Sequence, residues 1–329
     1  GRGGLQEALK ILAGHHPARR RVLVQSYSCR GLFDAIVGAG LEPVFVDVNA
    51  ALTADADSVR NQMASDVLAA ILVHLGGARY DDFRLVADLR RQGIYIIEDK
   101  AHAFASGWSL GGGVVVYSFG LGKNLMATAG GAVASRVHRG EFRMLRQGLA
   151  SADSSAALAR YEHCWKYFSD EMVEGYPAVM RPGYGAEAIS AIDCALLRAQ
   201  LDKTDWIVSS RRAHASVIQS ALAQFPSVFR VQPAAGNAFT KLIVVLRTPS
   251  IWNRFVTFMS NEGVEIEWMY TPLHHRDFAQ RFQLEPLPAT DALAGTVANI
   301  PSRPDLTAEE VKRITDLVTE FGENESRHG

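Results

Sequence analysis

The first part of the chain alternates short apolar runs with segments of helical periodicity, and this alternation limits the fold more than any other feature. The sequence predicts strands at Arg21–Val24, Pro43–Val48, Ala69–His74 and Gly93–Glu98, and helices at Leu32–Ala39, Ser58–Ala64 and Tyr80–Gln92. Apolar runs of this length, separated by helices, are typical of a mainly parallel sheet that helices cover on both faces. The first part is therefore predicted to be α/β.

The second part of the chain becomes more helical from about Ser135. Its predicted elements are one long helix or two successive helices at Ile189–Ser210, a helix ending near Gln224, a strand at Lys241–Leu246 and a helix at Ile251–Glu262. Thr307 followed by Glu310 has the spacing of a capping box and predicts the start of a last helix. We expect a large α/β domain over residues 1–205 and a smaller α+β domain over residues 206–329.

The charge balance and the cysteines exclude several classes of protein. The chain has 34 basic and 35 acidic residues and a formal net charge of -1, so it lacks the basic surface expected for binding to nucleic acid or to an anionic membrane. Cys29, Cys164 and Cys194 have no CxxC spacing, which argues against a disulfide framework and a zinc site. No apolar run approaches the ~18 residues of a membrane span. We expect a cytoplasmic protein that binds a small molecule or a protein.

The stretch YSFGLGKN places Lys123 after the apolar run that ends at Tyr117. A phosphate-binding loop of the Walker A type requires a glycine where Tyr117 stands and a serine or threonine where Asn124 stands. The sequence therefore argues against a nucleotide loop.

A lysine that bonds covalently to pyridoxal phosphate (PLP) is the alternative. Such a site needs an acid against the pyridine nitrogen, donors for the phosphate and an amine at the aldehyde carbon. Asp99 ends a predicted strand, at the edge where α/β ligand sites form, and Ser118 and Lys123 follow the next apolar run. Taken singly, Asp99 is typical of a turn or a helix cap, and Lys123 of a solvated surface. Their joint order and spacing favour the cofactor site.

Two longer motifs carry a resemblance to a known family. The stretches EDKAHAF and SFGLGKNLMATAGGAV resemble the acid-containing and lysine-containing motifs of the DegT/StrS family of PLP-dependent sugar aminotransferases, which have fold type I. Further similarity lies in VLVQSYSCRGLFDAIVGAGLEPVFVDV, AAILVHLGG, MYTPLHH and NIPSRPDLTAEEV. The resemblance covers nearly the whole chain and implies a fold type I enzyme, with a mainly parallel sheet in its large domain.

The resemblance implies roles for several residues around PLP. Asp99 is expected to bind the pyridine nitrogen, His102 to lie by the ring and its 3-oxygen, Ser118 to bind the phosphate and Lys123 to bond to the aldehyde. The opening GRGGLQEALKIL resembles a turn of the family that starts a helix, whose free N–H groups suit a phosphate. The residues of this turn are Gly1, Arg2 and Gly3, for which a flexible glycine-rich start is the alternative.

Three positions depart from the family pattern. The aromatic residue that stacks on the ring falls at Cys29, so Tyr27 or Cys29 is expected at the cofactor face, with the core as the alternative for each. The segment PGYGAEAIS has Ala186 near an asparagine that reaches the partner subunit's phosphate in the family, which puts that contact in doubt. Lys100 stands beside the acid, and because neighbouring side chains of an extended segment alternate, we expect it to face away from the cofactor.

The motif MYTPLHH adds candidate substrate contacts. Tyr270, His274 and His275 are expected to contact the substrate, and domain core is the alternative for Tyr270. Two adjacent histidines do not face one metal from a strand, so we expect no metal site there. His74 has two interpretations, a residue near the cofactor or a buried histidine with satisfied hydrogen bonds.

By resemblance, the reaction is the transfer of an amino group from glutamate to a nucleotide-linked keto sugar by a homodimer with its site at the subunit interface. Lys123 favours amino transfer over dehydration, since dehydrating relatives carry histidine at this position. Two alternatives remain: a fold type I enzyme acting on another ketone or an amino acid, and a PLP-binding regulatory protein without catalysis. The presence of Lys123 argues against the second.

Overall fold

The computed structural model describes residues 1–150, 152–168 and 187–328. The helices are α1 (Arg2–His15), α2 (Arg30–Gly38), α3 (Ala56–Asn61), α4 (Phe83–Arg91), α5 (Arg139–Gly148), α6 (Ser154–Phe168), α7 (Ala191–Leu201), α8 (Thr204–Leu222), α9 (Pro249–Asn261), α10 (Pro288–Asp291) and α11 (Ala308–His328). The strands are β1 (Arg21–Gln25), β2 (Glu42–Val46), β3 (Val67–Val73), β4 (Tyr95–Asp99), β5 (Val114–Ser118), β6 (Gly131–Ser135), β7 (Phe229–Val231), β8 (Leu242–Leu246), β9 (Glu267–Trp268) and β10 (Val297–Ile300). Single 3-10 turns lie at Leu75–Gly77, Leu273–His275 and Gln280–Phe282.

The first sheet has six strands in the order β2-β1-β3-β4-β5-β6. Strands β1 to β5 are parallel, and only β6 runs antiparallel, against β5. Every residue of β3 is buried, as expected for a central strand with helices on both faces. The structure confirms the predicted α/β fold with a mainly parallel sheet, and the predicted strand Ala69–His74 lies within two residues of the observed bounds.

The second sheet is antiparallel and has four strands in the order β7-β8-β10-β9. Helices α8, α9 and α11 pack with this sheet in one hydrophobic core that includes Phe229, Phe255 and Phe321. The predicted capping box starts α11, since Thr307 N donates to Glu310 Oε2 at 2.7 Å and Glu310 N to Thr307 Oγ1 at 3.2 Å.

The segment between β9 and β10 packs against the first sheet. Its apolar residues Leu273, Leu287 and Leu293 belong to the core of α1, β1 and β3. Two polar contacts fix it there: Leu273 N donates to Ser26 O at 2.9 Å, and Asp47 accepts hydrogen bonds from the first turn of α10. The division of the chain at residues 205 and 206 stays a prediction.

The carboxyl ends of the parallel strands bring the predicted site residues to one edge of the first sheet. Strand β1 leads into Tyr27 and Cys29, β4 ends at Asp99 and β5 ends at Ser118. Lys123 follows β5 in the connection to β6. In the part of the chain that the structure describes, no helix is long and apolar enough to cross a membrane.

Asp47 is the residue on which we expect the docking of the segment between β9 and β10 to depend. Its carboxylate accepts from Thr290 N and Thr290 Oγ1, both at 2.7 Å, and from Ala289 N at 3.0 Å. These backbone donors have no partner within a helix, and a negative charge at a helix N-terminus is stabilising. We expect Asp47→Ala to lower the free energy of unfolding by about 2–4 kcal/mol in urea denaturation.

The control for this change is Asp57→Ala. Asp57 forms an exposed ion pair with Arg60 at 2.9 Å, and its side chain is 87% exposed. An exposed pair contributes less than about 1 kcal/mol. Equal losses for the two variants would show that Asp47 is not a docking residue.

Candidate active site

The loop that carries Lys123 connects β5 to β6 and makes a tight turn. Gly122 has a φ of +75°, a conformation that glycine adopts without strain. A Cβ atom on Gly122 would lie 3.5 Å from Lys241 Nζ. The turn therefore brings Lys123 close to Lys241, which directly precedes β8 of the second sheet.

Helix α7 holds this loop from one side. Thr128 donates to Asp193 Oδ1 through its backbone nitrogen at 2.9 Å and its hydroxyl at 2.7 Å. Gln200 Nε2 donates to Met126 O at 2.7 Å, and Met126 N donates back to Gln200 Oε1 at 3.0 Å. The loop is thus fixed at several points on the α7 side.

The amine of Lys123 lies among charged side chains. Burial lowers the pKa of Lys123, nearby Cys29 and Asp99 raise it, Lys241 lowers it and Glu267 raises it. Lys123 Nζ donates no hydrogen bond to any residue that the structure describes. An amine in a partly buried position that the protein leaves without such a bond is typical of a functional group.

Asp99 is buried at the end of β4. Its Oδ1 accepts from Ala101 N at 2.9 Å, and within the described ranges no protein donor reaches Oδ2. Burial raises the pKa of Asp99, and the Ala101 hydrogen bond and the charge of Lys123 act in the opposite direction. One carboxylate oxygen is thus available for a cationic donor.

The start of α1 lies beside the end of β5. A Cβ atom on Gly1 would lie 3.2 Å from Ser118 Cβ, and one on Gly131 would lie 2.7 Å from Gly1 Cα. Close packing therefore places the first turn of α1, with its free N–H groups, next to the Ser118 side chain. A helix N-terminus beside a hydroxyl suits a phosphate group.

The other two residues predicted at this turn have different surroundings. The Arg2 side chain extends to the start of α2, since a Cβ atom on Gly31 would lie 3.2 Å from Arg2 Nε and 3.5 Å from Cys29 Sγ. Gly3 lies in the first turn of α1 and is partly buried. Their contact with a phosphate stays a prediction.

His102 is buried and has one defined tautomer. Gly76 N donates to His102 Nδ1 at 3.1 Å, and burial, with the charges of Lys123 and Lys241, holds the pKa of His102 well below its ordinary value. The ring is therefore neutral near pH 7 and carries its proton on Nε2, where it is a hydrogen-bond donor.

Tyr27, Cys29 and Tyr270 occupy different depths of the site. Tyr27 is fully buried, and its hydroxyl accepts from Tyr270 N at 3.3 Å. Cys29 is exposed and caps α2, since its Sγ accepts from Gly31 N at 3.4 Å. Burial raises the pKa of Tyr270, and the charges of Cys29 and Asp99 act in the same direction.

His274 and His275 both face Asp291. Their Nε2 atoms lie 2.8 Å and 2.7 Å from Asp291 Oδ1. The argument against a metal site assumed a strand, whereas the two residues lie on the 3-10 turn Leu273–His275. The expected lack of a metal site stays a prediction. Their predicted contact with a substrate stays a prediction.

A second buried carboxylate lies behind Asp99. Glu98 Oε1 accepts from Ser109 Oγ and Gly112 N, both at 2.8 Å, and Oε2 accepts from Leu110 N at 3.0 Å. Burial opposes ionisation, but His74, whose Nε2 lies 3.7 Å away, and these donors lower the pKa of Glu98 to about 2. Glu98 is therefore an anion at neutral pH.

The sequence did not single out the charged residues around Lys123 that come from the second half of the chain. Lys241 forms an ion pair with Glu267, and Asn299 Nδ2 donates to Glu267 Oε2 at 2.8 Å. Lys100, in contrast, donates to the carbonyl of Trp108. No local motif marks Lys241 or Glu267, since each reaches the site only through the packing of the two sheets.

Two expectations fall on residues that the structure does not describe. Ala186 and the first part of PGYGAEAIS, residues 182–186, lie outside the described residues, as does the side chain of Cys164. The expected loss of the contact with a partner subunit at Ala186 stays a prediction.

Comparisons with known proteins agree with this architecture. The chain is 22% identical over 315 residues to GDP-perosamine synthase of Vibrio cholerae, and this alignment covers 91% of this chain and 79% of that protein. The sugar aminotransferase CalS13 of Micromonospora echinospora superposes with a TM-score of 0.76 at 22% identity, covering 97% of this chain and 85% of that one. The PMP-form of Spr1654 from Streptococcus pneumoniae superposes at 0.77 with 18% identity, covering 98% and 87%.

These superpositions define the class of fold, which is the α/β fold type I that the sequence predicts. The pattern of one family also matches residues 1–319 of the chain. The protein belongs to the DegT/DnrJ/EryC1/StrS aminotransferase family. The predicted family and the predicted aminotransferase class are both confirmed.

The low pKa of Glu98 generates a prediction about stability. A carboxyl whose pKa is lower in the folded state stabilises the fold above its ordinary value of 4.5, and this contribution is lost as the pH falls toward about 2. The quantity to measure is the free energy of unfolding of the wild type minus that of Glu98→Gln, from urea denaturation. We expect this difference to fall by about 2 kcal/mol between pH 6 and pH 3.

Glu265→Gln, at an exposed position, provides the matched control and should show no such difference. A wild-type advantage over Glu98→Gln that stays constant across this pH range would refute the assignment of Glu98 as a buried anion.

Proposed function

We propose that the protein is a PLP-dependent enzyme that transfers an amino group from glutamate to a nucleotide-linked keto sugar. The observation that carries this proposal is the amine of Lys123, which lies near the buried Asp99 carboxylate and has no hydrogen-bond partner among the described residues. Family membership supports the reaction class. The PLP-form and PMP-form of the structural relative Spr1654 support the cofactor.

The residues present fit PLP on three sides. The Oδ2 atom of Asp99 is available to accept from a pyridinium N–H, and Nε2–H of His102 is a donor for the ring's 3-oxygen. The N–H groups of the first turn of α1 and the Ser118 hydroxyl suit the phosphate. When bound, PLP supplies an electron sink for the charge that develops at the reacting carbon.

Lys123 has two tasks in this proposal. Its Nζ would hold PLP at the aldehyde carbon of the cofactor, and the same atom would accept and donate the proton that amino transfer requires. Burial lowers the pKa of Lys123, which increases the fraction of neutral amine that accepts a proton near pH 7.

Asp99 contributes charge rather than proton transfer. Its carboxylate would keep the ring nitrogen of a bound PLP cationic, the form in which the cofactor supplies its electron sink. The burial of Asp99 would strengthen this interaction, because water screens a buried charge less than an exposed one.

The names of the relatives support a sugar as the acceptor. GDP-perosamine synthase and the sugar aminotransferase CalS13 are among the proteins that this chain resembles. The family resemblance also supports a homodimer with the site at the subunit interface. We therefore propose a nucleotide-linked keto sugar in the biosynthesis of amino sugars.

Borohydride reduction tests the role of Lys123. We expect the protein purified with PLP to lose its visible absorption on reduction and to carry a pyridoxyl group on Lys123, detected by peptide mass spectrometry. Lys123→Ala should lack the label and lose roughly 10²–10⁴-fold in turnover. Lys100→Met is the matched control and should keep the label on Lys123, because the Lys100 amine donates a hydrogen bond to the carbonyl of Trp108. A label on Lys100 in the wild type would overturn the assignment.

Amino transfer in two halves tests the reaction and its substrates. We expect glutamate to convert the bound cofactor to its amine form, measured by absorbance, and keto-sugar nucleotides to reverse the conversion. Reversal only by other ketones would favour an enzyme acting on non-sugar substrates. A cofactor that no amino donor alters would favour a regulatory PLP-binding protein.

A further inference from the structure

Three potential metal ligands converge outside the proposed PLP site. His274 Nε2 and His275 Nε2 lie 2.8 Å and 2.7 Å from the same atom, Asp291 Oδ1. All three ligand atoms lie within 4.8 Å of one another. With Gln280 and Gln283, these residues line one cavity that opens to solvent. Two imidazoles and a carboxylate therefore meet at the wall of an open cavity.

The 3-10 turn explains why adjacent histidines converge. Side chains in a strand alternate between faces, whereas the turn Leu273–His275 rotates both imidazoles toward α10, where Asp291 is the last residue. The two rings meet edge to face, with centroids 4.4 Å apart. The backbone conformation of the turn thus directs both Nε2 atoms toward Asp291 Oδ1.

The large sheet fixes the orientation of His274. Its Nδ1 lies 2.7 Å from Ser26 Oγ, and its backbone nitrogen donates to the same oxygen at 3.2 Å. A partner on the second ring nitrogen is what orients a metal-ligating histidine. With a metal on Nε2, the proton of His274 resides on Nδ1 and is donated to Ser26 Oγ.

We propose that His274 Nε2, His275 Nε2 and Asp291 Oδ1 bind a divalent first-row transition cation, best Zn²⁺, with water in the open position. Imidazole nitrogen with one carboxylate suits Zn²⁺ and its neighbours, whereas Ca²⁺ and Mg²⁺ prefer oxygen ligands alone. Tetrahedral bonds of about 2.1 Å space ligand atoms about 3.4 Å apart, so each nitrogen-to-oxygen distance has to widen by about 0.6 Å.

The bound metal has a structural role in this proposal and does not depend on the proposed function. Its ligands span the segment from Leu273 to Asp291, which Ser26 and Asp47 attach to the ends of β1 and β2. The same segment begins just after Tyr270, near the candidate active site at Lys123. The metal would therefore hold this segment against the ends of β1 and β2.

A second trio of side chains is less suited to a metal. His15, His138 and Glu141 also lie within 4.8 Å of one another. However, the two imidazoles stack face to face at 3.7 Å, and their Nε2 atoms have different partners, Glu141 for His15 and the Tyr95 hydroxyl for His138. This trio serves as the internal control.

Cobalt substitution tests the proposal on the whole chain with its cofactor, after removal of metals by a chelator. We expect one Co²⁺ per chain with visible d–d absorption, which Zn²⁺ displaces. His275→Ala and Asp291→Asn should weaken Co²⁺ binding at least about tenfold, whereas His15→Ala should leave it unchanged. Zn²⁺ at about 100 times its dissociation constant should raise the melting temperature of the wild type by roughly 4 °C, and not that of His275→Ala.

Other outcomes would overturn the proposal. An absent d–d band, or one that survives in His275→Ala, would leave the trio as a hydrogen-bonded cluster without metal. Loss of the band in His15→Ala or Cys29→Ser would assign the metal elsewhere. His275 is exposed, so its variant should keep the wild-type circular dichroism and remain informative if Asp291→Asn does not fold.

Discussion

The position of the candidate lysine depends on one buried carboxylate, Asp193. This side chain accepts from the backbone of Thr128, from the Thr128 hydroxyl and from Ser190 Oγ, and it lies 3.6 Å from Arg160. A buried anion is tolerable only when donors surround it, and here two of the donors belong to Thr128, in the loop that carries Lys123. Because the Asp193 carboxylate needs these hydrogen bonds, the loop that carries Lys123 is fixed against α7 although it has no regular secondary structure.

The end of β4 shows how one strand places two neighbouring carboxyl groups in different surroundings. Glu98 and Asp99 point to opposite faces, as successive strand residues do. Hydrogen bonds from the loop at Ser109 to Gly112 hold Glu98 ionised, whereas the Asp99 side chain accepts from one donor among the described residues and has a pKa raised by burial. The first carboxylate therefore stabilises the fold, and the second is available for chemistry.

Local patterns predicted the elements of the fold well but not their partners. The apolar run of β3 and the capping box of α11 carry their own signals, and Lys123 and Asp99 stand out by their spacing along the sequence. The contribution of Lys241 and Glu267 depends on how the second sheet packs onto the first, which no local pattern encodes. The facing pair His274 and His275 depends on a 3-10 turn that the sequence alone did not indicate.

The attachment of the segment between β9 and β10 has a consequence for the order in which the protein is made. Ser26 and His274 are 248 positions apart in the chain, and Asp47 and Thr290 are 243 apart. During translation, the first sheet leaves the ribosome long before the residues that cover its edge. A nascent chain therefore has to keep the ends of β1 and β2 exposed, and the site closes only when most of the protein has been synthesised.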